Sequence, residues 1–434
     1  MLSASLKSQF FIELHKEHLR NIISLYQSRE YASENWFATS GYVRKIQHRM
    51  LASIDVLKSQ PALYLSILKS FPDEKDKRAG DVFALGLATL YSDQEDFLTT
   101  LKQNKFVENA SLSRAYLSAI LFLDEEVRCE LVKEIISNAC ALPQLFDVLS
   151  EKTFEDKEDL SNIIRSAIEQ IRGLDEPERE RLLPNFFSFL TQQRTKLADT
   201  YRGLIPQLTA KTLPARAALI ELRYSVGLDT SQESVNTVLL DKKLPLRNFL
   251  RLASLLETHN CLSAARLLDK ANGVSKAYLL SAVSGSTEWI PWLIERMQDS
   301  NAPQAAFAGL AFTLITGISL EAEPYGRAVV PFSREHQEFT EAGFDDYLGL
   351  PLPNCQAVAR LWQQMKSNYD PKARYMSGQK LIELSQKKLA QEQLLAVYSQ
   401  ANTFYQQVLR GIAIRRYPLL EPTSLPARNG FAQL

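Results

Sequence analysis

The stretch that decides the fold is SGSTEWIPWLIERMQDSNAPQAAFAGLAFTLITG, from Ser284 to Gly317. Gly285 follows an apolar run and suits the left-handed residue that ends a helix. Ser286 and Thr287 come next, and their hydroxyls can accept from the open N–H groups of a following helix. Trp289 and Trp292 then lie three apart, on one face of a short helix. Ala305–Ile318 is a near-apolar run of 14 residues. A bilayer span needs ~20, so this run predicts a helix buried on all sides within a protein. The stretch therefore predicts two short helices joined by a turn, closed by Gly317.

Working outward, similar segments open at Arg216, Arg247, Lys276 and Gln304, in steps of 31, 29 and 28 residues. Upstream, Arg78-Ala79 and Arg114-Ala115 begin comparable segments 36 residues apart. Gly227 and Gly273 end apolar runs as Gly285 and Gly317 do, and Asp229-Thr230-Ser231 offers another helix start. One helix pair cannot bury its own apolar face, so such units must stack into a continuous core, with small residues where helices approach. Helical stripes recur outside this region: Phe11, Leu14, His18, Ile22 and Leu25; Val43, Ile46, Met50, Ile54 and Leu57; Val358, Leu361, Trp362 and Met365. Clean period-2 alternation is missing, so strands should be few. The expectation is an all-α array of helical pairs.

Texture divides the chain further. Residues 1–150 read as an N-terminal helical block. Residues 151–200 are charge-rich and broken at Gly173 and Pro177, and read as a connector: one exposed amphipathic helix, a turn, and a second helix from about Pro177. Residues 201–318 carry the repeat array. Residues 319–356 form a long non-helical insertion before C-terminal helices at 357–417, and 418–434 reads as an extended tail. Within 320–356 there are seven acids, two bases and four prolines. Loops beyond ~12–15 residues are usually functional or disordered. This one holds Tyr325, Phe332, Phe344 and Tyr347, too many aromatics for simple disorder. Residues 357–434 carry eleven bases and four acids, so loop and tail are electrostatically complementary, or the tail meets an acidic partner.

Composition narrows the function. The chain has 434 residues, with 50 Lys+Arg against 50 Asp+Glu. A protein that binds nucleic acid by bulk electrostatics would be basic. Only 16 glycines argue against a Gly-rich nucleotide fold. The four cysteines, Cys129, Cys140, Cys261 and Cys355, form no CxxC pair and read as free thiols in a reducing compartment. The N-terminus has no secretory h-region. A cytoplasmic protein with no membrane or nucleic-acid partner is expected.

Motifs for chemistry are missing: no GxxxxGK[ST], GxGxxG, GxSxG or HExxH occurs. His15 and His18 share a helix face beside Glu13 and Glu17, but His18 falls in the apolar stripe and reads as a half-buried histidine rather than a ligand. His336 lies beside Glu335 and Glu338 in the acidic loop. No catalytic residue, metal or cofactor is assigned. The candidate partner-binding residues are Tyr325, Phe332, His336, Phe344 and Tyr347.

The Ser284–Gly317 stretch resembles a HEAT-type pair, with Asp299 leading its second helix and Gln304 where Arg is usual. More specifically, the chain resembles a family of bacterial HEAT-repeat-like proteins encoded in or near type VI secretion clusters. The blocks that carry this are Val43–Leu57, Ala79–Leu90, STEWIPWLIERM, Phe307–Leu320 and RYMSGQ at Arg374–Gln379. LITG and RYMSG are the most specific. Residues 100–210 depart from a uniform solenoid. The resemblance implies a HEAT-like α-solenoid that is not an enzyme and serves as an adaptor or chaperone. Its partner would be an effector toxin or a spike component. Two alternatives stand beside it: an immunity protein that neutralises one toxin, and an enzyme on a HEAT-like scaffold, resembling bilin lyases, with a pocket near His336.

Overall fold

The computed structural model describes residues 4–380 except 35–39, 70–77, 104–108, 139–141, 229–231, 271–273, 330–349 and positions 153, 198, 242, 245, 257 and 322. The tail expected at 418–434, the C-terminal helices expected over 381–417, Cys140 and most of the 319–356 insertion therefore lie outside the described residues. Over the described residues the chain is all-α, with strands confined to two short antiparallel pairs. It divides into two compact units at Leu222–Arg223.

The first unit begins with α1 (Ala4–Glu34), α2 (Ser40–Ser59), α3 (Pro61–Lys69) and α4 (Ala79–Ser92). It continues through α5 (Gln94–Lys102), α6 (Ala110–Leu117), α7 (Glu125–Ser137) and α8 (Leu142–Leu149). Then come α9 (Lys157–Gly173), α10 (Glu176–Gln192), α11 (Asp199–Leu204) and α12 (Leu213–Ser225), within which the division falls. Short polar side chains start these helices. Asp93, Asn109 and Asp156 each accept from two backbone N–H groups at the heads of α5, α6 and α9. Asp175 caps α10, with Pro177 in its first turn.

Alternate helices pack in a row, α4 on α6, α6 on α8 and α8 on α10, while α7 packs on α9 alongside. Aromatic pairs fix the contacts: Tyr26 stacks on Phe83 at 4.1 Å, and Phe146 meets Phe186 edge-on at 5.1 Å. Glycine sets the closest approaches. A Cβ on Gly80 would lie 2.4 Å from the Ile23 carbonyl oxygen, and one on Gly86 2.7 Å from that of Tyr116. Ile46, Met50, Ile54 and Leu57 are buried along α2, as their stripe requires. The stripe expected on α1 holds at Ile22 and Leu25, which are buried, and fails at Leu14. Leu14 is exposed and His18 half-buried, whereas His15, Leu19, Ile22, Ile23 and Tyr26 are buried. The reason is that α1 packs against α2, α3 and α4 together, so its buried face is wider than one stripe. His18 is half-buried, as its place in the stripe suggests, and His15 joins the core, its Nδ1 2.9 Å from Tyr64 Oη.

The second unit holds α13 (Gln232–Leu239), α14 (Leu246–Leu255), α15 (Thr258–Lys270), α16 (Val274–Ser284), α17 (Ile290–Arg296) and α18 (Ala302–Thr316). Here α13–α14, α15–α16 and α17–α18 pack as pairs, and α14, α16 and α18 form the continuous row. The stretch Ser284–Gly317 folds as its residues predict. Gly285 and Gly317 take positive φ, at 62° and 73°. The Ser286 hydroxyl accepts from Glu288 N. Asn301 caps α18, which is buried on nearly every side. Gly227 is left-handed too, while Gly273 and Asp229-Thr230-Ser231 lie outside the described residues.

After α18, β1 (Gly326–Val329) pairs with β2 (Pro351–Pro353), and α19 (Cys355–Met365) follows. A final hairpin joins β3 (Tyr375–Met376) to β4 (Gln379–Lys380) through Ser377 and Gly378, both at positive φ. This hairpin caps the helix row. Tyr375 N donates to the Gly285 carbonyl at 2.8 Å, Ser377 N to Leu314 at 2.9 Å and Gly378 N to Ile315 at 3.0 Å. Tyr369 Oη donates to the Thr316 carbonyl at 3.1 Å. These are the carbonyls that a helix end leaves without partners. LITG and RYMSG, some sixty residues apart in sequence, are thus the two halves of one capping device.

Candidate functional site

A concavity lies in the first unit, between α9, α10 and the segment from Leu197 to Lys211. Its volume is about 500 Å³. The α9 wall is Ile164, Ile168 and Ile171; the α10 wall is Leu183, Phe186, Phe187 and Leu190. Leu197, Leu204, Ile205 and Leu208 supply the third side. The cause is visible in α9. Its buried stripe, Leu160, Ile163, Ile164, Ala167 and Ile171, packs inward, and the half-buried Ile168 widens the apolar face beyond it. That extra width opens toward the cavity.

Arg172, Arg179, Lys211 and Glu180 also line it; Arg172 and Lys211 are exposed, Arg179 half-buried and Glu180 buried. Glu180 Oε2 accepts from the backbone N–H groups of Lys211 and Thr212, both at 3.0 Å, and so neutralises the positive end of α12. Lys211 Nζ pairs with Glu176 at 2.5 Å, and this ammonium holds the exposed Glu176 carboxyl below its usual range. Arg172 and Arg179 have no carboxylate within ion-pair distance among the described residues. The site is therefore a largely apolar cleft whose lining includes three cations and one buried carboxylate.

A second polar cluster is structural. Arg29 Nη2 meets Glu151 Oε2 at 2.7 Å, and Arg114 Nε meets Asp147 Oδ2 at 2.7 Å. Arg114 also pairs with Glu30 and with the second oxygen of Glu151. Burial alone would lower the Arg114 pKa, but Glu151, Glu30 and Asp147 hold it well above its ordinary value. Arg29 and Glu151 are almost wholly buried. The cluster ties α1 and α6 to α8 and its end, and offers no open position for a substrate.

Buried thiols are poor nucleophiles here. Burial pushes the Cys129 thiol up to about 12, and Cys261 Sγ lies 3.7 Å from the Ala253 carbonyl oxygen in the core. Among the described residues no group of three His, Cys, Asp or Glu is placed to hold a metal. No described helix is long and apolar enough to cross a membrane. Trp289 is core, while Trp292 is half-buried, with the Tyr278 ring tilted against it at 5.2 Å and the Arg296 guanidinium 5.7 Å from its ring centroid.

Of the sequence-predicted partner residues, Tyr325 is half-buried in the turn before β1, and its carbonyl accepts from Asn354 N at 2.7 Å. Phe332, His336, Phe344 and Tyr347 lie outside the described residues. The α9 and α10 walls of the cleft fall in 151–200, read as a charged helical connector, and its third side reaches into the stretch read as the repeat array. The signal that points to it is the excess apolar width of α9 beside two arginines. In comparisons with protein-family models, curated proteins and solved structures, no match to this chain emerges.

Proposed function

We propose that this chain is a protein-binding accessory of bacterial type VI secretion, an adaptor or chaperone for an effector or spike component, and works without catalysis. The secretion setting rests on the resemblance of the sequence blocks alone. The support from the fold is one observation: in each unit alternate helices stack in a row, α4-α6-α8-α10 and α14-α16-α18. Rows of stacked helices present long surfaces on which complementarity, rather than a catalytic constellation, does the work. Buried, protonated thiols and carboxylates already engaged in ion pairs fit the same reading.

The test is a tagged chain expressed in the bacterium that encodes it, recovered at gentle salt, with co-purifying proteins identified by mass spectrometry. A stoichiometric toxin together with a spike component supports the adaptor. A single toxin alone turns the reading to immunity. Recovery of the bait with no secretion protein sinks both.

A further inference from the structure

We propose that the α9–α10 cleft is a binding site for a small amphipathic anion, an unbranched medium-chain carboxylic acid. Its tail would lie between the apolar walls and its carboxylate between Arg172 and Arg179. The inference stands on the cavity and does not depend on the secretion reading.

Three observations carry it. The first is size. The cavity of about 500 Å³ falls within the ~300–1,000 Å³ of small-molecule sites. A partner helix ~10 Å across would fill that volume in little more than one turn, so a slender chain fits and a helix does not. The second is the lining. Ile, Leu and Phe side chains dominate the walls, with Tyr201, Gln207 and Thr209 between them, so an apolar tail has a continuous surface to lie on. The third is charge. Of the carboxylates on these elements only Glu180 lines the cleft, and it is held by two backbone N–H groups. Lys211 is paired with Glu176. Arg172 and Arg179, of which Arg179 acts on Glu176 only through space, can present to an anionic head group the planar fork that suits a carboxylate.

The test is calorimetric titration of the full chain with dodecanoate below its micelle concentration. Dodecyltrimethylammonium (same tail, opposite head) and butyrate (same head, no tail) serve as matched probes. The expected result is saturable one-to-one binding of dodecanoate, at least tenfold tighter than the cation, with butyrate unbound. A double variant, Arg172→Gln with Arg179→Gln, should weaken dodecanoate at least tenfold. Arg172 is exposed and Arg179 half-buried, and an unchanged circular dichroism melt confirms the fold. Equal binding of anion and cation overturns the proposal, as do many-to-one binding, no binding, or an unaltered double variant. The head-group comparison on the wild-type chain decides the matter even if the variant is unstable.

Discussion

The two helix rows are locked by different chemistry. In the first unit the lock is made of side chains: Glu151 joins Arg29 on α1 to Arg114 on α6, with Asp147 on α8 completing the cluster. In the second unit the lock is backbone: the β3–β4 hairpin donates N–H groups to the open carbonyls at the ends of α16 and α18. A side-chain lock depends on residue identity at every member, because removing one leaves a buried charge without compensation. A backbone lock is indifferent to most side chains. It depends on glycine, because the two backbones come too close for a Cβ.

The largest effect follows from the first case. Glu151→Ala removes the carboxylate shared by both arginines and leaves Glu30 to serve both the fully buried Arg29 guanidinium and Arg114. The expected cost is about 3–5 kcal/mol. Hydrogen exchange should rise across α1, α6 and α8, with α14, α16 and α18 unaffected. A loss below about 1 kcal/mol in denaturant titration would mean that the cluster is decorative, and the contrast between the rows would fail.

The second lock is tested by a pair of glycines. Gly317 has φ 73°, and a Cβ there would lie 2.4 Å from the Ser377 carbonyl oxygen. Gly227 has φ 77°, with nothing within 4 Å of its Cβ position. Gly227→Ala meets only left-handed strain, about 1–2 kcal/mol. Gly317→Ala meets the same strain plus the clash, about 2–4 kcal/mol in all. Exchange at the amides of Ser377 and Gly378 should quicken only in the Gly317 variant. Equal costs for the two variants would show that the hairpin does not hold the row.

This contrast also explains which features are legible in the sequence. Backbone conformation leaves a local trace, so the residue types at Gly285 and Gly317 are enough to mark helix ends, and Ser286 to mark a start. The helical period likewise places Met50, Ile54 and Leu57 in the core. Long-range side-chain chemistry leaves no such trace. Nothing near Arg29 announces Glu151, which lies 122 residues away. The stripe leaves His18 half-buried, as the structure has it, but does not place His15 in the core, because it cannot reveal that α1 has three neighbours. The cleft is hidden for a related reason. Charges at 151–200 suggest an exposed connector, yet α9 packs on α7 and α10 on α8, and only the width of the apolar face betrays a third side.

The smallest effect concerns the thiols, which report the two environments without disturbing either. Cys129 on α7 is buried, and burial raises its pKa from the ordinary 9.0 to about 12. Cys355, at the start of α19, is only half-buried. At pH 8 an alkylating reagent should modify Cys355 at least ~10-fold faster than Cys129, since the thiolate is the nucleophile and exposure gates access. Mass spectrometry of partially alkylated chain reads this directly. The same shift has a stability consequence of fixed sign. A thiol with a raised folded-state pKa stays protonated longer when folded than when unfolded. Its contribution is therefore complete below pH 9 and is lost as pH rises from 9 toward 12. Tyr64, pushed by burial from 10.0 to about 12, acts in the same direction. Alkaline titration should thus weaken the first unit progressively above pH 9, and Cys129→Ala should make that decline shallower. An unchanged slope in the variant would place the alkaline sensitivity in the buried tyrosines, Tyr64 among them, rather than in α7.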